Sequence, residues 1–478
     1  MNTLQEILEN IKENAPMTLE EIIRTELAAW EASRERKTML EGKKYYLNKN
    51  KILERKRTTI DENGDEIEVR NLANNRIPHG FYRKLVDQKV GYLLSRPFMV
   101  ETEKEAYQKL LDGYFDKGFR RMLKNLGKEA IKCGRAWLQV YYNENGNLAF
   151  KPIPSEEGIP LWKDAAHTEL DAFIRTYTVE AYEARTKKEI KRVEFWSLDG
   201  VRIYEGDNGG LKLIDEHAHF SVAGKDGEIP MNWERVPFIC FKYNEEEQPL
   251  IEMIKELVDD YDKRISDNSN NLEDLPNGIY VVKNYQGTGG EDFRKNISTF
   301  RVVFVDEDGG VDTITLDLSI EAHKNHIEQL RRDIYEFGRG VDTQSDKFGN
   351  SPSGIALRFL YSDLDMDAND LESEFQAGLE QLLWFIDTHL ANTHQGDFSE
   401  EPVEFIFNRD ILINETEAVT NAKDSVGIIS DETIVANHPW TTNTKEELQR
   451  IKKEQEDDQK RFDQGQFEGL ENEEDETP

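Results

Sequence analysis

Leu357, Leu360, Leu364, Ala368, Leu371, Phe375, Leu379, Leu382, Ile386 and Leu390 recur at steps of three, four and four. Such an eleven-residue repeat keeps one apolar stripe on one side of a nearly straight α-helix. The stretch from Ser353 to about Asn392 is therefore predicted to be one helix of about 40 residues, roughly 60 Å long at 1.5 Å per residue. A single compact domain does not need a helix of that length, so this element must serve a larger architecture.

Two further helical patterns precede it. Leu250, Ile254, Leu257, Tyr261 and Ile265 fall on one stripe. Ile320, His323, Ile327, Leu330, Ile334, Phe337 and Val341 then alternate at three and four, a heptad that keeps one face against a partner helix. Between them, "NGIYVVKNY" and "FRVVFVDEDGGVDTITLDLS" read as a small αβ insertion with a hairpin turn at Asp308-Gly309. Two helices bracketing a small β module make a stalk carrying a head. After the second comes "VDTQSDKFGNSPSG", a polar loop with glycines and a single lysine, Lys347.

Closer to the N-terminus, Leu4 to Glu13 and Thr18 to Lys37 read as amphipathic helices, with Thr18 as an N-cap. "HGFYRKLVDQKVGYLLSRPF" reads as a helix ending at Pro97, and helical periodicity continues from Tyr107 to Lys132. The period then changes to two. "RAWLQVYYNENGNLAFKPIP" is a hairpin around Asn145-Gly146, and strand patterns continue to about Lys242. Beyond residue 392, "PVEFIFNRDI" precedes further helices through Lys453, and residues 461–478 form an acidic tail too poor in apolar side chains to pack. Separate helical and β-rich stretches place the chain in the α+β class.

The 478 residues carry Lys+Arg 61 against Asp+Glu 95, a net charge of −34, which repels phosphate backbones and argues against a conventional DNA-binding surface. Two cysteines without CxxC spacing signal neither a disulfide framework nor a zinc site. No signal peptide or membrane span is expected, because no run approaches 18 apolar residues. No P-loop occurs; "GTGG" at 287–290 lacks the lysine. His323 and His326 form an HxxH pair without the HExxH pattern, and His323 sits on the heptad stripe. Asp363, Asp365, Asp367 and Glu374 have EF-hand-like offsets, but Ala368 stands where the calcium loop turns on glycine. No catalytic centre, metal site or cofactor is expected.

The segments "YYLNKNKIL", "NNRIPHGFYRKLVDQKVGYLLSRP", "EAIKCGRAWLQVYYNENGNLAFKPIP", "VPFICFKYNEEEQPLIEMIKELVDDYDKRISDNSNNLEDLPN" and "SGIALRFLYSDLD", in this order, resemble the portal proteins of tailed bacteriophages, in the siphophage-type branch. "ISDETIVANHPWTTNTKEELQRIKKE" is similar to the C-terminal part of that family. Ser95-Arg96 departs from the Gly-Lys expected before the proline, which affects the local turn.

The resemblance implies a ring, usually of twelve copies, at one capsid vertex, through which double-stranded DNA is packaged and ejected. It implies a wing from residues 1–247, a first stem helix at 248–274, a clip at 275–319 and a second stem helix at 320–342. A tunnel loop at 343–353, a long wing helix at 354–392 and a crown at 393–460 follow. Thr343, Gln344, Ser345, Asp346, Lys347, Phe348, Gly349 and Asn350 would face the DNA channel. Ile320, Ile327, Leu330, Ile334, Phe337 and Val341 would pack the stem, and Glu307, Asp308, Gly309 and Gly310 would form the docking tip of the clip. The implied partners are other copies of the chain, the duplex, the terminase large subunit, major capsid and scaffold proteins and a head-completion adaptor, with no membrane. The location would be the virion, after assembly in the host bacterial cytoplasm. Two other readings fit parts of the sequence: an acidic minor head or scaffold protein without a closed ring, and a metal-dependent DNA-processing enzyme using the carboxylates between Asp363 and Asp370.

Overall fold

The structure is a computed structural model and describes residues 18–61, 64–69, 73–96, 98–183, 186–207, 210–224, 227–273, 278–283, 308–315, 320–344, 354–409, 415–441 and 444–471. The expected helix at Leu4 to Glu13 lies outside the described residues. The chain divides into two compact units, Met1–Asp342 with Asp363–Asp410, and Thr343–Ser362 with Ile411–Pro478.

The first unit opens with α1 (Leu19–Ala32) and α2 (Arg34–Tyr46). Thr18 caps α1 through a capping box, its hydroxyl accepting from the Glu21 N–H while the Glu21 carboxylate accepts from the Thr18 N–H at 2.7 Å. The single helix expected over Thr18 to Lys37 is broken at Ser33. That residue is extended at φ −60° and ψ 148°, and its hydroxyl accepts from the Arg36 N–H to start α2. A small hairpin of β1 (Thr58–Ile60) and β2 (Glu66–Glu68) follows, then α3 (Phe81–Leu94) and β3 (Met99–Glu101). The helical stretch from Tyr107 is also two helices, α4 (Glu105–Tyr114) and α5 (Lys117–Cys133), because Asp116 leaves the helical region to cap the Phe119 N–H at 2.8 Å.

Next come β4 (Arg135–Tyr142) and β5 (Leu148–Ile153), joined by the expected turn with Gly146 at φ 75°. The strands β6 (Gly158–Trp162), β7 (Leu170–Glu183), β8 (Thr186–Ser197), β9 (Gly200–Asp207) and β10 (Gly210–His217) form one antiparallel sheet in the order of the chain. Two strands, β11 (Phe220–Gly224) and β12 (Gly227–Met231), make a separate hairpin, and β13 (Phe238–Lys242) joins β4 and β5 in a second sheet.

Alternation along β7 and β8 explains the layering. Ala172, Ile174, Val193 and Phe195 bury one face of the five-stranded sheet against Ile23, Leu27 and Trp30 of α1 and Met39 of α2. Phe173 and Trp196 point to the other face, against Trp137 of β4 and Phe238 and Cys240 of β13. The helices and the second sheet thus cover opposite faces of the five-stranded sheet.

The unit continues with α6 (Leu250–Glu273), then β14 (Gly278–Lys283) paired antiparallel with β15 (Gly310–Thr315), then α7 (Ile320–Phe337). The residues expected to pair across the turn at Asp308-Gly309 lie outside the described ones on the N-terminal side; the observed partner of β15 is β14. The long period becomes α8 (Gly354–Asn392), 39 residues. Leu364, Ala368, Leu371, Phe375, Leu379, Leu382, Ile386 and Leu390 are all buried. Beyond α8, β16 (Glu404–Ile406) pairs with β3, and Phe398, Phe405 and Phe407 close an aromatic cluster with Tyr107, Phe98 and Phe115.

The second unit holds the first turns of α8 with α9 (Glu415–Asp424), α10 (Asp431–Ala436) and α11 (Thr444–Glu471). The last helix runs past residue 461, where an acidic tail without structure was expected.

Candidate functional site

The face that α6 buries is not the apolar stripe read from the sequence. Leu250, Ile254 and Tyr261 are buried as expected, but Leu257 and Ile265 are only half-buried, and Val258 takes their side of the helix. Below Tyr261 the buried face turns polar, with Asp262, Ser266 and Asn270 at 0%, 0% and 1% exposure. These three residues are one turn apart, and each accepts a backbone N–H from a strap at residues 74–79. Asn270 takes the N–H of Asn75 at 2.6 Å, Ser266 that of Ile77 at 3.0 Å and Asp262 that of His79 at 2.9 Å. The second carboxylate oxygen of Asp262 accepts from Asn50 Nδ2 at 2.6 Å, and His79 Nδ1 lies 2.7 Å from the first. Burying these side chains is tolerable because Asp262, Ser266 and Asn270 each accept a backbone N–H, although Asn270 Nδ2 and Asn50 Oδ1 stay buried without a partner among the described residues.

α7 packs beside α6. Phe81 of α3 wedges between them, meeting Tyr261 of α6 at 4.9 Å and Tyr335 of α7 at 6.0 Å, both edge to face. His326 reaches Asp260 at 3.3 Å across the pair, so this residue of the HxxH motif has a carboxylate partner on the neighbouring helix, and His323 is half-buried. Of the residues expected to pack the stem, Leu330 and Ile334 are buried at 6% and 0%, Ile327 is half-buried, and Phe337 is 57% exposed. The side chain of Ile320 lies outside the described residues.

Val341 is buried, yet it lies beyond the helix, which stops at Phe337 rather than continuing the heptad. The stop is a Schellman turn: the Gly340 N–H donates to Tyr335 O at 2.8 Å and the Arg339 N–H to Glu336 O at 3.1 Å. Arg339 holds the left-handed position at φ 47°, where glycine is usual. The glycines stand instead on either side, where a Cβ would come within 2.6 Å of the Ile334 carbonyl at Gly338 and 2.1 Å of a Leu85 methyl of α3 at Gly340. Gln88 of α3 then holds Val341 by both its N–H and its carbonyl, at 2.9 and 3.1 Å, and Asp342 folds back in a two-pronged pair with Arg331 at 2.7 and 2.9 Å. The chain leaving α7 toward the polar loop is therefore fixed up to Asp342. Thr343 and Gln344 are exposed; Ser345, Asp346, Lys347, Phe348, Gly349 and Asn350 lie outside the described residues. In the β module, Asp308 turns at φ 64°, followed by Gly309 and Gly310, while Glu307 lies outside the described residues.

The carboxylates at the start of α8 do not converge. Residues two apart on a helix point to different sides, and Asp365, Asp367 and Asp370 each find a separate partner. Asp365 pairs with Arg409 and accepts from Tyr92, and Asp370 pairs with Arg339 at 3.1 Å. Asp367 is 4% exposed, with Lys89 at 2.8 Å and the Tyr243 hydroxyl at 2.7 Å. Burial lowers the pKa of the Lys89 ammonium against the opposing pull of Asp367. Among the described residues no group of three acidic, histidine or cysteine side chains could hold a metal ion. The observation that motivated a metal-dependent enzyme is thus explained as three separate structural contacts. Sequence reasoning missed both Lys89 and the polar face of α6; a lysine flanked by Val86 and Val90 was the only visible signal for the first.

Long elements, capped and cross-braced, dominate this geometry, and the charged Lys89, Arg135 and Asp262 that it buries each have partners. The family model for phage portal protein, SPP1 Gp6-like, matches residues 30–461. The portal protein of Clostridium phage phiCD119 is 32% identical over 433 residues, covering 86% of this chain and 91% of the relative. The portal protein of Bacillus phage SPP1 is 30% identical over 429 residues, covering 87% and 83%. A solved chain from the neck of a native GTA particle computed with C12 symmetry is 12% identical, with a TM-score of 0.38, over 75% of this chain and 89% of that one, a likeness too slight to bear on subunit number. The chain belongs to the phage portal protein family, a family of structural proteins of the virion, and its function is that of the portal for DNA packaging.

Proposed function

We propose that copies of this chain close into a ring of twelve at one capsid vertex, and that the ring conducts double-stranded DNA without any chemistry of its own. In this reading α6 and α7 are the stem, residues 275–319 the clip and residues 343–353 a tunnel loop toward the duplex. Residues 1–247 and α8 form the wing, and residues 393–460 the crown. The terminase large subunit docks on the clip during packaging, a head-completion adaptor takes its place later, and major capsid and scaffold proteins surround the wing. Assembly takes place in the host bacterial cytoplasm.

The observation that carries the reading is the pair α6–α7 with its fixed exit at Asp342. A segment that meets a moving duplex must itself be free to adapt, while its root must not shift with it. The Schellman turn at Arg339 and the Gln88 clamp supply such a root. The loop offers one cation, Lys347, whose contact with phosphate is exchangeable and blind to sequence. Class-averaged electron microscopy of the purified protein is expected to show rings with a central hole; particles without one would reject the ring. Deleting residues 345–350 is expected to leave rings intact and to shorten the DNA retained in particles. Full-length genomes retained at normal yield would make the loop a mere connector.

A further inference from the structure

α5 carries two opposed faces. Phe119, Leu123, Leu126 and Ile131 are buried, while Lys117, Arg120, Arg121 and Lys124 line the other side at helical spacing. All four are exposed or half-buried, and none makes an ion pair among the described residues. Such a row of unpaired cations runs against the chain's net charge of −34. Lys117 and Arg120 also stand at the N-terminal end of the helix, where the backbone dipole disfavours positive charge. The fold itself therefore gains nothing from them there.

Beyond the opposite end of α5 two exposed glutamates follow the cations Arg135 and Lys242, which pair with Glu247. Gly134, which ends the helix, lies so near the Glu247 carbonyl that a Cβ would sit 1.9 Å from it. Glu245 and Glu246 beside it are exposed and make no ion pair among the described residues. Glu374 stands beside this corner, since its neighbour Phe375 meets Phe241 of β13 at 5.1 Å, and burial, with repulsion from Glu245, Glu247 and Glu246 set against the pull of Lys242, raises its carboxyl above its ordinary range. A 17-residue helix separates the two patches by roughly 25 Å.

We propose that the cationic ridge of Lys117, Arg120, Arg121 and Lys124 on one copy docks the acidic corner of Glu245, Glu246 and Glu374 on the next. Opposite charges at opposite ends of one rigid element suit a head-to-tail contact, in which the two surfaces that meet are different. Copies that each carry −34 repel one another, so their assembly needs a local complement of this kind. The inference rests on the ring reading above and names the surfaces that close it.

The test uses the full chain, with ring content read by mass photometry and folding of each variant by thermal melting. Wild-type protein without rings would reject the ring reading, and this inference with it. Given wild-type rings, the ridge reversal Arg120→Glu, Arg121→Glu, Lys124→Glu should lower ring content at least tenfold while the subunit still melts cooperatively. The corner reversal Glu245→Lys, Glu246→Lys, Glu374→Lys should do the same. Combining the six changes in one chain should restore rings. Wild-type ring content in either reversal alone, or no restoration in the folded combination, would overturn the pairing. A ridge reversal that keeps its rings but loses retention of duplex DNA would assign the ridge to DNA and equally overturn it.

Discussion

α7 and α8 both carry long apolar periods, yet their stripes end differently. Along α8 every described position of the stripe from Leu364 to Leu390 is buried within the chain itself. Along α7, Leu330 and Ile334 are buried while Phe337, on the same stripe, remains 57% exposed next to the buried Tyr335. A stripe that its own chain covers completely does the work of folding. One that is covered only in part leaves apolar surface for contact with something else, which in the proposed ring would come from a neighbouring copy.

The largest effect is expected where α8 is closed. Phe375→Ala, at 0% exposure against Phe241, should lower subunit stability by about 3–5 kcal/mol. Chemical denaturation of the isolated subunit measures it, and a loss below about 1 kcal/mol would mean that the stripe is not closed. Acid gives a second test on the body. Burial opposes ionisation of Glu129, but Lys43 and Lys132 overcome it and hold the carboxyl down at about 2. Its folded pKa is thus below the ordinary 4.5, so its contribution is complete above that pH and is lost as pH falls toward 2. About 3 kcal/mol should disappear across that window in the wild type and less in Glu129→Gln, as followed by melting at stepped pH.

Ser266→Ala is a smaller perturbation, aimed at α6. It leaves the N–H of Ile77 buried without its acceptor and should destabilise the subunit by about 1–3 kcal/mol. Hydrogen exchange should quicken at residues 75–79 before it does in α8; simultaneous quickening would show that the strap is not separately held. The smallest effect on the subunit belongs to Phe337→Ser, within about 0.5 kcal/mol, because the side chain is already in water. Ring yield should fall all the same. A variant that loses subunit stability and keeps its rings would invert the contrast between the two helices.

The α8 stripe was legible because burial there follows one rule, apolar residues at helical spacing, for its whole length. α6 followed that rule only to Tyr261. Asp262, Ser266 and Asn270 look in sequence like a solvated face, and "NNRIPH" has no period that would mark it as their partner. The end of α7 was hidden for a related reason. The heptad runs on to Val341 in sequence, and the left-handed residue of the turn is an arginine, so neither spacing nor residue type marks Phe337 as the last helical position. The split of α1 from α2 depends on one serine hydroxyl among several on that stretch. Elements held by apolar packing could be read; those held by a hydrogen bond to a distant backbone could not.

The strap on α6 also acts as a gauge. Every second N–H of an extended chain recurs at about 6.6–6.8 Å, and side chains one helical turn apart recur at about 6 Å. The two rulings differ by under 1 Å per rung, so they agree over the span of Asn75, Ile77 and His79 and would drift out of step if continued much further. Sliding α6 by a fraction of a turn would break all three bonds together, and a slide that restored them would have to cover a full rung. The axial position of α6 against the strap is thereby quantised: a load along this helix meets a detent instead of a spring.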